Sequence, residues 1–218
     1  MSEVKLIAYT QSKEIAGITS QDIMAYCARV SNPSNQNNSE TAEKLLNYCV
    51  RNKHWSVFEM CNVVIEINTT RDIARQILRH RSFHFQEFSQ RYADPNELGF
   101  ETREFRLQDT KNRQNSIEVD GDNEMTKSWK LKQDQLIHET KLAYKWAIEN
   151  GIAKEQARAV LPEGLTMSRM YMNGTVRDWI HYCQLRMGNG TQKEHRIIAA
   201  DCWTILCNLY PFLKKIEN

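Results

Sequence analysis

This 218-residue sequence contains no CxxC pair, no GxGxxG phosphate turn and no apolar run of membrane length, and neither sign of charge dominates it. Each absence excludes a class of protein. Cys27, Cys49, Cys61, Cys183, Cys202 and Cys207 stand apart, with neither zinc-clamp spacing nor a disulfide framework, so a reducing cytoplasm is the expected setting. Without roughly 20 consecutive apolar residues there is no candidate membrane span, and the polar opening MSEVKL lacks a signal-peptide core. Lysine plus arginine (29) against aspartate plus glutamate (27) leaves a formal net charge of +2. No overall field then draws the chain to nucleic acid or membrane, and any anion site must be local. A Rossmann cradle is excluded by the missing glycine turn, and a marked serine nucleophile by the missing GxSxG elbow. The carboxylates show no metal-ligand clustering, which argues against a metal-dependent phosphohydrolase.

What is present suffices for a folded core: 41% of residues are apolar, and no repeat, low-complexity run or linker divides residues 1–218. One α+β domain is expected. Residues 4–10 read as a strand, and Ser20 and Ser39 as starts of helices, the second carrying Leu45, Leu46 and Cys49 on one face. From 61 to 68 the side chains alternate, with Cys61, Val63, Ile65 and Ile67 on one side, as in a half-buried strand. Thr69-Thr70-Arg71-Asp72 has capping-box spacing before an apolar stripe of Ile73, Ala74, Ile77 and Leu78, so an arginine-rich helix should begin there. Residues 101–125 are polar and aperiodic, which predicts an exposed excursion. A long helix follows, in which Trp129, Leu136, Ala143 and Trp146 or Ala147 have near-heptad spacing suited to core packing, with Gly151 at its C-terminal cap. Further helices are expected near 155–161 and 176–187 and from a capping box at Thr191-Gln192-Lys193-Glu194, the last with Ile197, Ile198, Cys202, Ile205, Leu206 and Leu209 as its apolar face.

The chemistry concentrates between Arg71 and Arg91, where five arginines occur, two of them flanking His80. A guanidinium offers a planar fork of donors that matches phosphate oxygens and keeps its charge when partly buried. A solvated basic helix face would explain the arginines alone, but not the interleaved Phe83, Phe85, Phe88 and Tyr92 or the hydroxyls of Ser82 and Ser89. Glu87 adds an acceptor suited to ribose hydroxyls. Phosphate, ring and sugar together indicate a nucleotide. On one helix His80 and His84 would share a face as metal ligands, but Arg79 and Arg81 set positive charge beside any cation, and no metal is expected. A colourless RNA- or DNA-binding protein that presents the 71–91 segment as a contact surface is the rival reading; the near-neutral charge favours one compact pocket instead.

Arg79-His80-Arg81, followed after seven residues by Ser89 and after one more by Arg91, resembles the signature of the flavin-dependent thymidylate synthases. Similar blocks recur in the family's order: Ala28-Arg29-Val30-Ser31, His54-Trp55-Ser56-Val57-Phe58-Glu59, Ala157-Arg158-Ala159-Val160-Leu161-Pro162, Thr175-Val176-Arg177 and Leu185-Arg186, leaving 101–125 unmatched. The resemblance implies an antiparallel sheet flanked by helices and a homotetramer with shared active sites. It implies conversion of dUMP to dTMP with methylenetetrahydrofolate as carbon donor and FAD, reduced by NADPH, as hydride source, without a cysteine nucleophile. It assigns FAD to Ser56, Arg79, His80, Arg81, Glu87, Thr175, Arg177 and His181. It assigns dUMP to Gln76, Arg79, Glu87, Ser89, Gln90, Arg91, Arg158 and Arg186, with Arg186 and His54 as catalytic residues. The sequence departs from the common pattern at His84, Gln86, His181 and Thr175.

Overall fold

The computed structural model describes residues 3–14, 18–121 and 123–216. Its main sheet has the order β1-β2-β6-β3, antiparallel throughout: β1 is Glu3–Tyr9, β2 Asn62–Thr70, β3 His84–Glu87 and β6 Met167–Thr175. Val63, Ile65 and Ile67 of β2 point into the core, as their alternation predicts, beside Met170 and Met172 of β6. Around the sheet lie α1 (Ser20–Ala28), α2 (Ala42–Arg51), α3 (Arg71–Ile77), α4 (Glu124–Glu149), α5 (Lys154–Ala157), α6 (Val176–Arg186) and α7 (Lys193–Leu209). No helix among the described residues is long and apolar enough to cross a membrane.

Two strand-to-helix junctions organise the centre. β2 runs into α3 at Thr70-Arg71 and β6 into α6 at Thr175-Val176, with no loop between. Because the two strands pair antiparallel, Asn62 opposite Thr175 and Thr70 opposite Met167, the helices start at opposite ends of the sheet and turn back over it. Their C-terminal ends therefore meet. Thr175 makes the second turn-back sharp: its hydroxyl accepts from the Asp178 amide while the Asp178 carboxylate accepts from the Thr175 amide, a complete capping box.

Several expectations are corrected. The strands β3 and β6 have no counterpart in the sequence reading. β6 alternates methionine and polar residues rather than β-branched ones, and β3 lies inside the segment expected to continue as an arginine-rich helix. That helix stops at Ile77, so His80 and His84 do not share a helix face. The cap of α1 is Thr19, boxed with Asp22, while Ser20 is buried against the Tyr210 hydroxyl at 2.9 Å. α2 begins at Ala42 rather than at Ser39. The boxes expected at Thr69–Asp72 and Thr191–Glu194 do not close: Thr70 Oγ1 donates to the Asp72 carboxylate (2.5 Å), and Glu194 is taken by Arg106. The 101–125 excursion carries a two-stranded ribbon, β4 (Arg106–Gln108) and β5 (Ser116–Glu118), and Arg103 pins it to Asp72 at 2.7 Å.

The largest correction concerns α4. Gly151 does cap it, with φ +77° and the 6→1 and 5→2 bonds of a Schellman turn, from the Ile152 amide to the Ala147 carbonyl (2.9 Å) and from Gly151 to Ile148 (3.1 Å). The buried side chains, however, are Gln133, Thr140, Tyr144 and Ala147, whereas Trp129, Leu136, Ala143 and Trp146 face outward, Trp146 at 61% exposure. Two more outward positions of α7 and α4, Ile197 and Leu142, are also exposed. A near-heptad stripe measures how well a helix packs on something, without saying that the something is its own chain.

Candidate active site

Where α3 and α6 end together, Arg186 Nε donates to His80 Nε2 at 2.8 Å. Burial first, then the guanidiniums of Arg186 and Arg79, push the His80 imidazole down to about 4. It is therefore neutral at pH 7, and its Nε2 is free to accept. The His80 ring stands edge-on to Tyr182 (4.9 Å) and Phe83 (6.5 Å). The Arg186 side chain is thus anchored through Nε, with its two terminal nitrogens beyond the anchor. Arg79 and Arg81 flank His80, are exposed and have no ion-pair partner among the described residues.

Two further groups of the expected residues form elsewhere. Gln90 and Arg158 line a cavity of about 280 Å³ together with Arg71, Arg75, Glu155 and Glu163. Gln90 is 5% exposed, and its Nε2 has no hydrogen-bond partner among the described residues, which leaves a buried donor at this cavity. Arg91 Nη2 lies 3.2 Å from the Glu155 carboxylate, and Arg158 Nε donates to the Glu155 carbonyl at 3.3 Å. The Ser89 hydroxyl accepts from the Arg91 amide at 3.4 Å. Glu87 closes this group, accepting from Ser168 Oγ (2.8 Å) with Arg71 Nη1 at 3.5 Å.

The third group lies at the start of α6 and in a short 3₁₀ helix, Trp55–Glu59, where Ser56 and His54 are exposed. Arg177 is ion-paired with Glu59, the His181 ring meets the edge of Trp55 at 4.6 Å, and His54 meets Tyr48 at 5.9 Å. Thr175 is occupied as the α6 cap. Gln76, on α3, faces α7: its Nε2 donates to Gln192 Oε1 at 2.8 Å, and its Oε1 lies 3.3 Å from His195 Nδ1. The chain thus brings Arg186 to the Arg79 to Arg81 turn and Arg158 to Arg91, in separate groups.

Sequence reasoning missed Arg71 and Arg75 as lining residues, although their spacing on one turn of α3 was a readable signal. Gln192, His195 and Tyr182 carried no signal at all, since their meeting depends on how α3, α6 and α7 pack.

The buried histidines make stability depend on pH. Burial, with Arg186 and His80 nearby, pushes His195 down to about 3, as it pushes His80 to about 4. Both stand below the unfolded value near 6.5, so between these limits the unfolded chain binds more protons. Their contribution is complete above pH 6.5 and is lost as pH falls toward 4. Urea midpoints measured across pH 4–8 should decline on the acid side, and a flat profile would show that neither histidine is held neutral.

Comparison with known proteins shows the family and the fold. The family model described as "Thymidylate synthase complementing protein" matches residues 5–212. A "Probable flavin-dependent thymidylate synthase" of Paramecium bursaria Chlorella virus 1 is 48% identical over 211 residues, covering 97% of this chain and 96% of that protein. A "Flavin-dependent thymidylate synthase" of Synechocystis sp. is 46% identical over 213 residues, covering 96% of each. The crystal structure of a UMP/dUMP methylase, PolB from Streptomyces cacaoi bound with 5-Br dUMP, superposes with a TM-score of 0.79 over 98% of this chain and 93% of that one, at 22% identity, which establishes the shared fold. With a match along nearly its whole length and near-half identity to full-length relatives, the chain belongs to the flavin-dependent thymidylate synthases, a family of enzymes.

Proposed function

We propose that the protein converts dUMP to dTMP, taking the carbon from methylenetetrahydrofolate and reducing equivalents from NADPH through FAD, in the cytoplasm and without nucleic-acid or membrane partners. The observation that carries this reading is the arginine-lined cavity with a buried Gln90 donor that has no partner among the described residues. Arg71, Arg75 and Arg158 line it beside the carboxylates of Glu155 and Glu163, with Glu87 also on Arg71, and an anionic nucleotide would supply further acceptors. In this reading Ser89, Gln90, Arg91 and Arg158 hold the phosphate end of dUMP, Glu87 accepts from the ribose, and Gln76, Arg79 and Arg186 meet the base.

The donor set also fits FAD. Arg79 and Arg81 are exposed and pair with no carboxylate among the described residues, which suits a pyrophosphate, and Ser56, His80, Glu87, Arg177 and His181 add donors and acceptors. Thr175 fits least well, because its side chain already caps α6, and Arg177 must exchange Glu59 for a ligand. When bound, the flavin supplies the redox chemistry of the reduction.

The chain's own contribution is electrostatic. A uracil ring accepts a carbon at its 5-position only when made electron-rich, and Arg186, fixed through Nε by neutral His80, offers its terminal N–H groups to the ring's polar edge. A guanidinium held there stabilises negative charge that develops as the imide proton leaves. Burial raises the thiols of Cys49, Cys61, Cys183, Cys202 and Cys207, Cys61 to about 11, the opposite of what a nucleophilic thiolate needs. His54, exposed and edge-on to Tyr48, precedes Trp55 in the chain, and in this reading it stands at the rim of the flavin and folate end.

The single-chain geometry supports a homotetramer with shared sites. Arg186 and Arg158 belong to separate groups, and Trp129, Leu136, Ala143 and Trp146 expose an apolar face on α4 that a second copy would cover.

The purified protein should be yellow, lose its flavin absorption on NADPH addition and regain it in air, and form dTMP only with dUMP and methylenetetrahydrofolate together. Arg91→Ala should chiefly weaken dUMP binding, by about tenfold or more, through loss of a charge-assisted phosphate contact. A colourless protein that cannot be loaded with FAD contradicts the reading.

A further inference from the structure

Behind Gln76 lies a chain of buried polar groups that the reading above does not use. Tyr182 (α6) and His195 (α7) are 1% and 0% exposed, and Tyr182 Oη lies 3.1 Å from His195 Nε2. His195 Nδ1 lies 3.3 Å from Gln76 Oε1, and Gln76 Nε2 donates to Gln192 Oε1 at 2.8 Å.

The direction of every bond in this chain is determined. The buried Tyr182 O–H needs an acceptor, and among the described residues His195 Nε2 is the one within reach. Nε2 is then unprotonated. The imidazole is neutral, because burial and the nearby Arg186 charge hold it so, and its proton sits on Nδ1. Nδ1–H therefore donates to Gln76, which fixes Oε1 as the accepting end of that amide and Nε2 as the donating end, a polarity Gln192 Oε1 repeats from the other side.

A glutamine side chain unconstrained at both ends exchanges donor for acceptor by a half-turn. Uracil and cytosine differ by that same exchange: a carbonyl against an amino group at position 4, and N–H against a lone pair at position 3. We infer that His195 and Gln192 are positioning residues that clamp the Gln76 amide in one orientation, so that it admits a uracil nucleotide and rejects the cytosine analogue. This rests on the reading that Gln76 meets the base of dUMP.

The test compares the affinities of dUMP and dCMP, by calorimetry on the FAD-loaded protein. His195→Leu alone would leave the Tyr182 hydroxyl buried without a partner, so the working variant is Tyr182→Phe/His195→Leu, which removes both ends of that bond and should fold. Its partner is Tyr182→Phe/His195→Asn, in which the asparagine amide replaces the Nδ1–H donor. The preference for dUMP over dCMP should fall about tenfold or more in the leucine variant, the usual worth of one fixed base contact, and recover in the asparagine variant. Mere loosening of the fold would weaken both nucleotides alike. An unchanged preference in the leucine variant, or equal loss in both variants, overturns the clamp while leaving the dUMP reading intact. A wild-type protein that binds no dUMP overturns that reading and the clamp with it.

Discussion

Arg186→Ala should leave the protein yellow and folded while reducing dTMP formation by a factor of about 10²–10³ or more, the measured range for removal of one pre-aimed donor that stabilises developing negative charge. The expectation follows from how Arg186 is held. Its side chain is tied through Nε to a histidine kept neutral by burial and by the same guanidinium, so the arginine is oriented without being neutralised. A carboxylate in place of His80 would pin the side chain equally well but would cancel much of the charge offered to the ring. Arg186 abuts the Arg79 to Arg81 turn through His80 but is not itself among the residues given to FAD, so flavin content should survive its removal. Flavin absorbance and single-turnover dTMP formation check both halves. Loss of flavin with normal turnover of the remaining holoenzyme would mean that Arg186 holds the cofactor and does not act on the pyrimidine.

Gly174→Ala should lower the melting temperature by roughly 5–10 °C, from an overpacking cost of about 2–3 kcal/mol in a chain of this size. Gly174 lies in the central strand β6, and a Cβ there would stand 2.5 Å from Cδ1 and Cε1 of Phe83. Phe83 has little room to yield: it is 6% exposed, with Trp179 edge-on at 4.9 Å and Tyr182 at 5.9 Å. The glycine is needed for space, since a ring lies directly on the strand. The same ring supports His80, so the substitution should also reduce catalysis at temperatures where the protein remains folded. Thermal unfolding followed by circular dichroism checks the first effect, and an unchanged midpoint would show that Phe83 can swing aside.

Both predictions depend on one feature of the topology. β2 and β6 are antiparallel neighbours, and each turns directly into a helix that opens on an arginine or has one at its second position, Arg71 and Arg177. Residues a hundred positions apart are brought together because the two helices converge over the sheet, and Phe83, given room by Gly174, packs against His80 and Tyr182.

The amino-acid order alone was enough to place the alternating core strand β2, the arginine and histidine signature with its family, and most helices, because each of these is written in local spacing. The Schellman glycine after α4 belongs with them, since a positive φ selects glycine wherever the chain runs. Three-dimensional packing settled the rest. Whether the Trp129 to Trp146 stripe covers its own core or faces outward depends on what lies opposite it. β6 took shape as a strand because β2 and β3 satisfy its backbone groups on both sides, and β3 because β6 offers it an edge to pair with, against a weak local preference. The polarity of the Gln76 amide comes from three residues on or capping two other helices, and the neutrality of His80 from burial and then from a guanidinium 106 positions away, long-range contacts of a kind that no short window of sequence contains.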